Sequence, residues 1–276
     1  MRFGNLMRPA LAAAVAVAGV VSPALAREPA VSTLNVKVTA QAGPVEDEGS
    51  WLGVVALTAP ISNEWGVQGE AGAFGFDGDP AYGLAGHVFT RDPSMYLLGA
   101  FGAFAHTDDA DLDAGRIGVE GEYYLEHLTF IANTGYQFGD HNVNETWFGE
   151  ARVSWYATDD FALSGGVAFD DERAITEFGA EWLVGGGSAL PGLALRGDVL
   201  IADDGVDSTL LGIVYYFGPD ASLKDRHRKQ DPESALFDLL QAVQAGCDAP
   251  VILEAAPVGK SGFSGPVCTI FIPPPS

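Results

Sequence analysis

Residues 144–157 read NETWFGEARVSWYA, and this stretch decides the fold class because its two residue parities differ. One parity carries Trp147, Ala151, Val153 and Trp155, which are all apolar, whereas the other carries charged residues such as Glu150. Alternation with a period of two is typical of a β-strand whose two faces meet different surroundings. The stretch therefore predicts one strand with an apolar face and a charged face.

The same alternation recurs along most of the chain. Glycine is frequent, at 35 of 276 residues, and charged residues make up 18%, which disfavours disorder and a coiled coil. We predict about twelve antiparallel strands, the other eleven being 34–42, 50–61, 64–76, 80–91, 94–106, 113–125, 127–139, 159–170, 173–184, 192–203 and 206–218.

Mid-strand charges fall on the parity opposite to the apolar one. A lipid-facing charge costs up to ~2–4 kcal/mol, so placing all of them in lipid would cost on the order of 20 kcal/mol, more than the ~5–15 kcal/mol net stability of a domain. The charges are therefore predicted to line a barrel interior. These lumen-lining residues are Lys37, Glu70, Arg116, Glu120, Glu122, Glu150, Arg152, Glu177, Glu181, Arg196 and Asp198.

A soluble sandwich or lipocalin-like barrel would reverse the two faces, and alternation alone does not separate these folds. The spacing of Trp147 and Trp155 favours the membrane version, since it spans about 20 Å along a tilted strand, near the height of an outer-membrane apolar band. Acidic loops also alternate with tight turns. We therefore predict an all-β, transmembrane, antiparallel up-and-down β-barrel over 27–218, with an aromatic girdle that includes Trp147, Trp155, Tyr215 and Phe217.

The first 26 residues have the pattern of a secretory signal peptide. Arg2 and Arg8 precede the apolar run 11–21, and Ala24-Leu25-Ala26 supplies the small-residue cleavage pattern. The apolar run reaches only about half of a ~30 Å hydrocarbon core. We expect export and a location in the cell outer membrane, with lipid and lipopolysaccharide as partners.

Residues 219–276 form a tail beyond the predicted barrel, expected on the periplasmic side. Asp231-Pro232-Glu233 has the pattern of a helix start, and Gly246 that of a helix end. Cys247 and Cys268 would close a loop worth about 3 kcal/mol as a disulfide, with two free thiols as the alternative. The basic run 224–229 fits a membrane-surface anchor or a solvated linker equally. Whether the tail docks under the barrel, plugs it or binds a partner is left open.

Composition excludes several functional classes. The net charge of -23 would repel nucleic acid. Two cysteines without paired spacing do not make a structural zinc site. We expect no cofactor. Asp109, Asp111 and Asp113 match acidic positions of an EF-hand loop, but Ala114 replaces the required glycine, so these residues predict at most a loose association of divalent cations with the acidic loops.

Catalytic motifs for a hydrolase are not evident in the sequence. The five histidines form no HExxH motif, and there is no GxSxG. The neighbourhood of His106 with Asp108 and Asp109, and of Asp140 with His141, superficially resembles the carboxylate and histidine pairs of omptin-type outer-membrane proteases. A barrel enzyme with a site at the outer rim is therefore the alternative function, and we expect a protein that is not an enzyme.

The charged interior is the main organised feature. Seven of its predicted residues are carboxylates and four are bases, which would favour cations in an aqueous passage. A second possibility is that salt bridges and bulky inward residues fill the barrel. Barrels of about eight strands are filled by side chains and barrels of about sixteen leave a channel, so a barrel of twelve strands lies between these two cases. We expect a porin-like or structural envelope protein, with a narrow cation-favouring pore for small polar solutes as the specific form.

The end of the last strand resembles a known group of proteins. Tyr215-Tyr216-Phe217-Gly218 is followed by Arg226-His227-Arg228 and then by Asp231-Pro232. This YYFG…RHR…DP order is similar to the closing segment of Gram-negative outer-membrane β-barrel (porin-like) proteins that have no established activity. The resemblance covers about 20 residues. It implies insertion by the barrel-assembly machinery and implies no reaction.

Overall fold

The protein forms a closed antiparallel β-barrel. A computed structural model describes residues 28–45, 48–76, 79–107, 112–139, 145–170, 174–184, 190–203, 207–236 and 239. The predicted signal peptide lies outside the described residues. Within them the strands are β1 (Asn35–Val45), β2 (Glu48–Pro60), β3 (Trp65–Phe76), β4 (Asp79–Asp92), β5 (Tyr96–Thr107), β6 (Leu112–Tyr124), β7 (Leu128–Gly139), β8 (Thr146–Thr158), β9 (Phe161–Phe169), β10 (Ala174–Leu183), β11 (Leu193–Ala202) and β12 (Ser208–Phe217).

Each strand pairs with its neighbours in sequence, and β1 pairs with β12 to close the barrel. In the closing pair Val36 lies opposite Phe217 and Ala42 opposite Leu211. Closure leaves no unpaired edge, as a lipid environment requires. The prediction of an antiparallel barrel of about twelve strands is confirmed.

Four tight turns, at 61–64, 93–95, 125–127 and 159–160, mark one end of the barrel, which we call the turn end. Their polar side chains bind nearby backbone: Asp92 accepts from the amide of Ser94 (3.1 Å), and Thr158 accepts from the amide of Asp160 (3.3 Å). Such local hydrogen bonds favour short hairpins. The opposite end, which we call the loop end, is formed by the last residues of β1, β3, β5 and β7 and the first residues of β2, β4, β6 and β8.

The outward face of the strands is apolar. Trp147 is 66% exposed and Leu211 is 67% exposed, and many other large apolar side chains of the outward parity are also exposed. Soluble monomers rarely expose a contiguous apolar surface above a few hundred Å². An apolar exterior around a closed barrel therefore fits lipid rather than water.

One helix, α1 (Leu223–Lys229), follows the barrel in the described residues. Gly218 has φ +117, a left-handed conformation that lets the chain turn as it leaves β12. The side chain of Ser222 then caps the helix by accepting from the amide of Asp225 (3.2 Å). Among the described residues there is no helix with the length and apolar character needed to cross a bilayer.

Candidate functional site in the barrel lumen

All predicted lumen-lining residues occupy the inward register of their strands. Glu70, Glu122, Glu150, Glu181 and Asp198 are buried. The others are partly buried, namely Lys37, Arg116, Glu120, Arg152, Glu177 and Arg196. The structure thus brings both signs of charge together inside the barrel.

Two arginines organise one wall of the lumen. Arg152 on β8 contacts Glu150 at 2.6 Å and Glu177 at 3.1 Å. Arg196 on β11 contacts Asp198 at 2.8 Å and Glu181 at 3.7 Å. Because buried charges are costly unless they are paired, this interleaving explains how the interior accommodates so many ionisable groups.

The opposite wall holds a histidine, His87, that is not among the predicted lumen-lining residues. Nε2 of His87 lies 3.0 Å from Glu70 Oε1, and Nδ1 lies 3.0 Å from Glu120 Oε2. A doubly protonated imidazole would donate to both carboxylates. The sequence carries one signal for this position, namely the parity of His87 within the predicted strand 80–91. His87 has the same parity as Phe89 and Arg91, and all three side chains are buried.

The tail enters the lumen, and we call residues 231–236 and 239 the plug segment. Asp231 accepts a hydrogen bond from Thr58 Oγ1 (2.9 Å). Ser234 Oγ (2.5 Å) and the amide of Leu236 (3.3 Å) both donate to Glu70 Oε2. A carboxylate that accepts several hydrogen bonds holds its partners more firmly than a neutral acceptor. Glu70 is therefore a principal binding group for the plug segment.

The apolar side of the plug segment packs in the half of the barrel nearer the loop end. Leu236 and Leu239 are fully buried there. Complete burial of a leucine is worth about 1.5–3 kcal/mol relative to exposure, so these two side chains stabilise the plug segment in addition to its polar contacts. Their apolar surroundings include Leu52, Val54, Phe74, Ala81, Phe101, Ala103, Ala105, Ala114 and Phe148.

Helix α1 covers the lumen at the turn end. Leu223 is fully buried in an apolar cluster that contains Tyr156 and Tyr216. Arg228 donates to the carbonyl oxygens of Leu125 (2.7 Å) and Leu128 (2.9 Å). The basic run 224–229, which fitted an anchor or a linker, is therefore packed against the barrel strands and turns.

A polar cluster joins α1 to the wall. His227 lies between two tyrosines, with Tyr156 Oη 3.1 Å from Nδ1 and Tyr216 Oη 3.0 Å from Nε2. Tyr216 also donates to Glu181 (2.6 Å). Nearer the rim, a hydrogen bond from Lys224 lowers the pKa of the Asp159 carboxyl. These contacts fix the helix in one orientation.

The residues before β1 add a second contact with α1. Ala30 and Val31 are buried, and Val31 packs with Phe89 and Leu97. The amide of Ser32 donates to the carbonyl of Lys229 (2.9 Å). The start of the described chain and its tail are thus joined at the turn end.

Two small cavities adjoin the plug segment in the part of the chain that the structure describes. One cavity of about 50 Å³ is lined by residues that include Lys37, Arg152, Arg196 and Glu233, and a second of about 30 Å³ shares these four. A water molecule needs about 10–15 Å³ on this measure, so each cavity holds a few waters at most. The described residues of the plug segment therefore fill part of the lumen.

The predicted girdle residues lie on the outside. Trp147, Trp155 and Phe217 are exposed, whereas Tyr215 is partly buried and packs edge to face on Phe217 with ring centroids 4.6 Å apart. Aromatic side chains of this kind occur at both borders of a lipid-facing band.

Two other predicted residues, His106 on β5 and Asp113 on β6, lie near the loop end. His106 Nδ1 is 2.9 Å from Asp113 Oδ1, and both side chains are exposed. Asp109, Asp111, Cys247 and Cys268 lie outside the described residues, so the metal and disulfide expectations stay predictions. In the part of the chain that the structure describes, no group of three or more His, Cys, Asp or Glu residues is arranged to hold a metal ion.

The tail was predicted on the periplasmic side with a helix start at Asp231. A separate helix covers Leu223–Lys229, and within the predicted helix residues 235, 236 and 239 are helical whereas 231–234 are not, so the helical backbone starts later than Pro232. Asp231 accepts from Thr58 across the lumen, so its carboxylate serves the barrel contact instead of a helix cap. The plug segment lies among inward-facing side chains, and residues 240–276 lie outside the described residues.

Comparison with known proteins gives structural relatives only. No protein-family model and no curated protein sequence matches the chain. The KdgM porin matches with a TM-score of 0.53, and KdgM in complex with disordered oligogalacturonate matches with 0.52, each at 7% sequence identity and covering 66% of this chain and 99% of that porin. Outer membrane phospholipase A from Escherichia coli matches at 0.45 and 8% identity, covering 73% of this chain and 95% of the phospholipase.

These identities establish similarity of fold alone. The barrel is porin-like in architecture, as the alternation predicted. The YYFG…RHR…DP resemblance is not tested by these likenesses and stays a prediction.

Proposed function

We propose that this protein is a porin-like barrel of the outer membrane whose pore is closed by its own plug segment. The observation that carries the proposal is a closed barrel with an apolar exterior and a charged interior, into which Ser234 and Leu236 insert to bind Glu70. In this proposal the protein passes small polar solutes when the plug segment leaves, and it is not an enzyme.

The membrane assignment rests on the outer surface and on the fold. Exposed tryptophan, leucine and phenylalanine side chains surround the barrel, and lipid is the solvent that suits them. The likeness to the KdgM porin supports the same environment. In this assignment lipid and lipopolysaccharide contact the exterior, the barrel-assembly machinery inserts the chain, and the turn end faces the periplasm, as short turns do in bacterial barrels.

The proposed ion preference follows from the barrel wall. Its seven predicted carboxylates exceed its four predicted bases, and Arg91 adds a fifth base without removing the excess. A net negative wall at low dielectric attracts cations and repels anions. Small cations should therefore carry most of the current through the opened pore.

A bilayer recording of full-length variants tests the proposal. Leu236→Asp places a charge in a fully buried apolar site and should expel the plug segment, because an unpaired buried charge is unstable. We expect discrete, cation-selective conductance steps from Leu236→Asp. Leu236→Met keeps the volume and polarity of the site and should be as silent as the unmodified protein.

Folding is checked in the same samples by gel mobility before and after boiling. A Leu236→Asp protein that is folded and inserted yet never conducts would contradict the porin assignment. Silence together with peptide cleavage would favour the rim enzyme.

A further inference from the structure

Glu233 is a carboxylate that the tail places against a basic part of the lumen wall. Its Oε2 lies 3.2 Å from Nη1 of Arg152. Lys37 and Arg196 line the same two cavities as Glu233 and Arg152. These bases come from β1, β8 and β11, so the grouping exists only in the closed barrel.

Arg152 divides its donors between wall and tail. Its Nη2 contacts Glu150 and Glu177, which belong to the barrel, whereas its Nη1 contacts Glu233, which the tail supplies. A guanidinium offers donors in a fixed fork that suits carboxylates. The Nη1 side of Arg152 therefore forms a carboxylate contact that depends on the plug segment.

The basic groups around Glu233 favour the charged form of its carboxyl group. Burial raises the pKa of the Glu233 carboxyl, but Arg152, Arg196, His227 and Lys37 lower it, and the net pKa lies below its ordinary value. The wall therefore stabilises a carboxylate at this point although the lumen as a whole is acidic.

We propose that Arg152, with Lys37 and Arg196, forms a carboxylate-binding site of the pore, and that Glu233 occupies this site as an internal substitute for a carboxylate-bearing solute. The inference rests on the proposed function and names a ligand class for the same lumen. The plug segment and such a solute compete for one site, so the solute favours the unplugged state. The two adjoining cavities provide space beside the site once the Glu233 side chain is removed.

Rescue of a full-length variant by acetate tests the site. Glu233→Ala removes the carboxylate and leaves Arg152 in place. We expect sodium acetate to raise the temperature at which the detergent-solubilised variant loses its folded gel mobility by about 2–4 °C relative to equimolar sodium chloride, because a ligand that binds only the folded state stabilises it. Neutral acetamide should give no shift, and the unmodified protein should not respond to acetate.

Two double variants identify the residues responsible. Glu233→Ala with Arg152→Gln should lose the acetate response. Glu233→Ala with Arg116→Gln should keep it, since Arg116 bonds Gln137 and stacks on Phe148. Absence of an acetate response in Glu233→Ala, or an equal response after Arg152→Gln, would overturn the proposal. Should Glu233→Ala not assemble, Glu233→Ser replaces it in the same comparison. Because no current is measured, a failure of conduction would not affect this result.

Discussion

At the scale of single residues, the face of a strand on which a side chain stands decides what it tolerates. Val153 is on the outward face of β8, whereas Glu120 on β6 is partly buried and contacts His87 in the lumen. Successive side chains along a strand point alternately to the lipid and to the charged interior. Chemically modest changes should therefore have opposite consequences on the two parities.

We expect Val153→Arg to block assembly, because an arginine near the middle of the lipid-facing band costs about 2–4 kcal/mol. Glu120→Gln should assemble, since the amide oxygen still accepts a hydrogen bond from His87. Heat-dependent gel mobility of membrane fractions measures both. Equal tolerance of the two substitutions would refute the assignment of faces.

At the scale of elements, the side chains that hold α1 against the barrel differ in how deeply their contacts are buried. Arg228 is buried and bonds two carbonyls of the β6–β7 turn region and Thr129 Oγ1. Lys224 pairs with Asp159 at an exposed site. Hydrogen bonds from a buried charge contribute more than a solvated ion pair, because water does not replace a lost buried partner.

Arg228→Met should lower the free energy of local opening of α1 by about 1.5–3 kcal/mol, the usual contribution of hydrogen bonds to a charged group. Lys224→Met is the matched control, and it should lower the same free energy of opening by under about 1 kcal/mol. Amide hydrogen exchange of residues 223–230 distinguishes them. Similar exchange rates in both variants would show that Arg228 does not hold the helix.

At the scale of the whole molecule, closure depends on close approach of β1 and β12. A Cβ atom at Gly212 would collide with the backbone of Ala40 and Gln41 on β1. A Cβ at Gly53 on β2 would meet nothing within 4 Å. Glycine is therefore a requirement of barrel closure at the first position and not at the second.

Gly212→Val should prevent formation of the heat-modifiable barrel, because the backbone of the neighbouring strand cannot yield as a flexible side chain could. Gly53→Val should give a normal barrel. Both proteins are refolded in detergent and compared by gel mobility with and without boiling. A fully heat-modifiable Gly212→Val protein would contradict the closing register.

The plug also belongs to this largest scale. Ser234 and Glu70 are 164 residues apart in sequence, and Thr58 and Asp231 are 173 apart. The position of the described helix likewise follows tertiary contacts, since Leu223 and Arg228 are buried against strands and turns from several parts of the barrel. The sequence of the tail contains no local pattern that predicts either the contacts of the plug segment or the position of α1.

By itself the sequence determined the strands, their number and their two faces, because alternation is written residue by residue and a charge in lipid is too costly to allow the opposite orientation. By parity it also predicted Glu70 and Arg152 on the inward face. Only the tertiary structure decided that His87 joins two carboxylates and that the tail occupies the lumen. Those contacts connect distant strands, and they form only where barrel closure brings opposite walls within hydrogen-bonding distance.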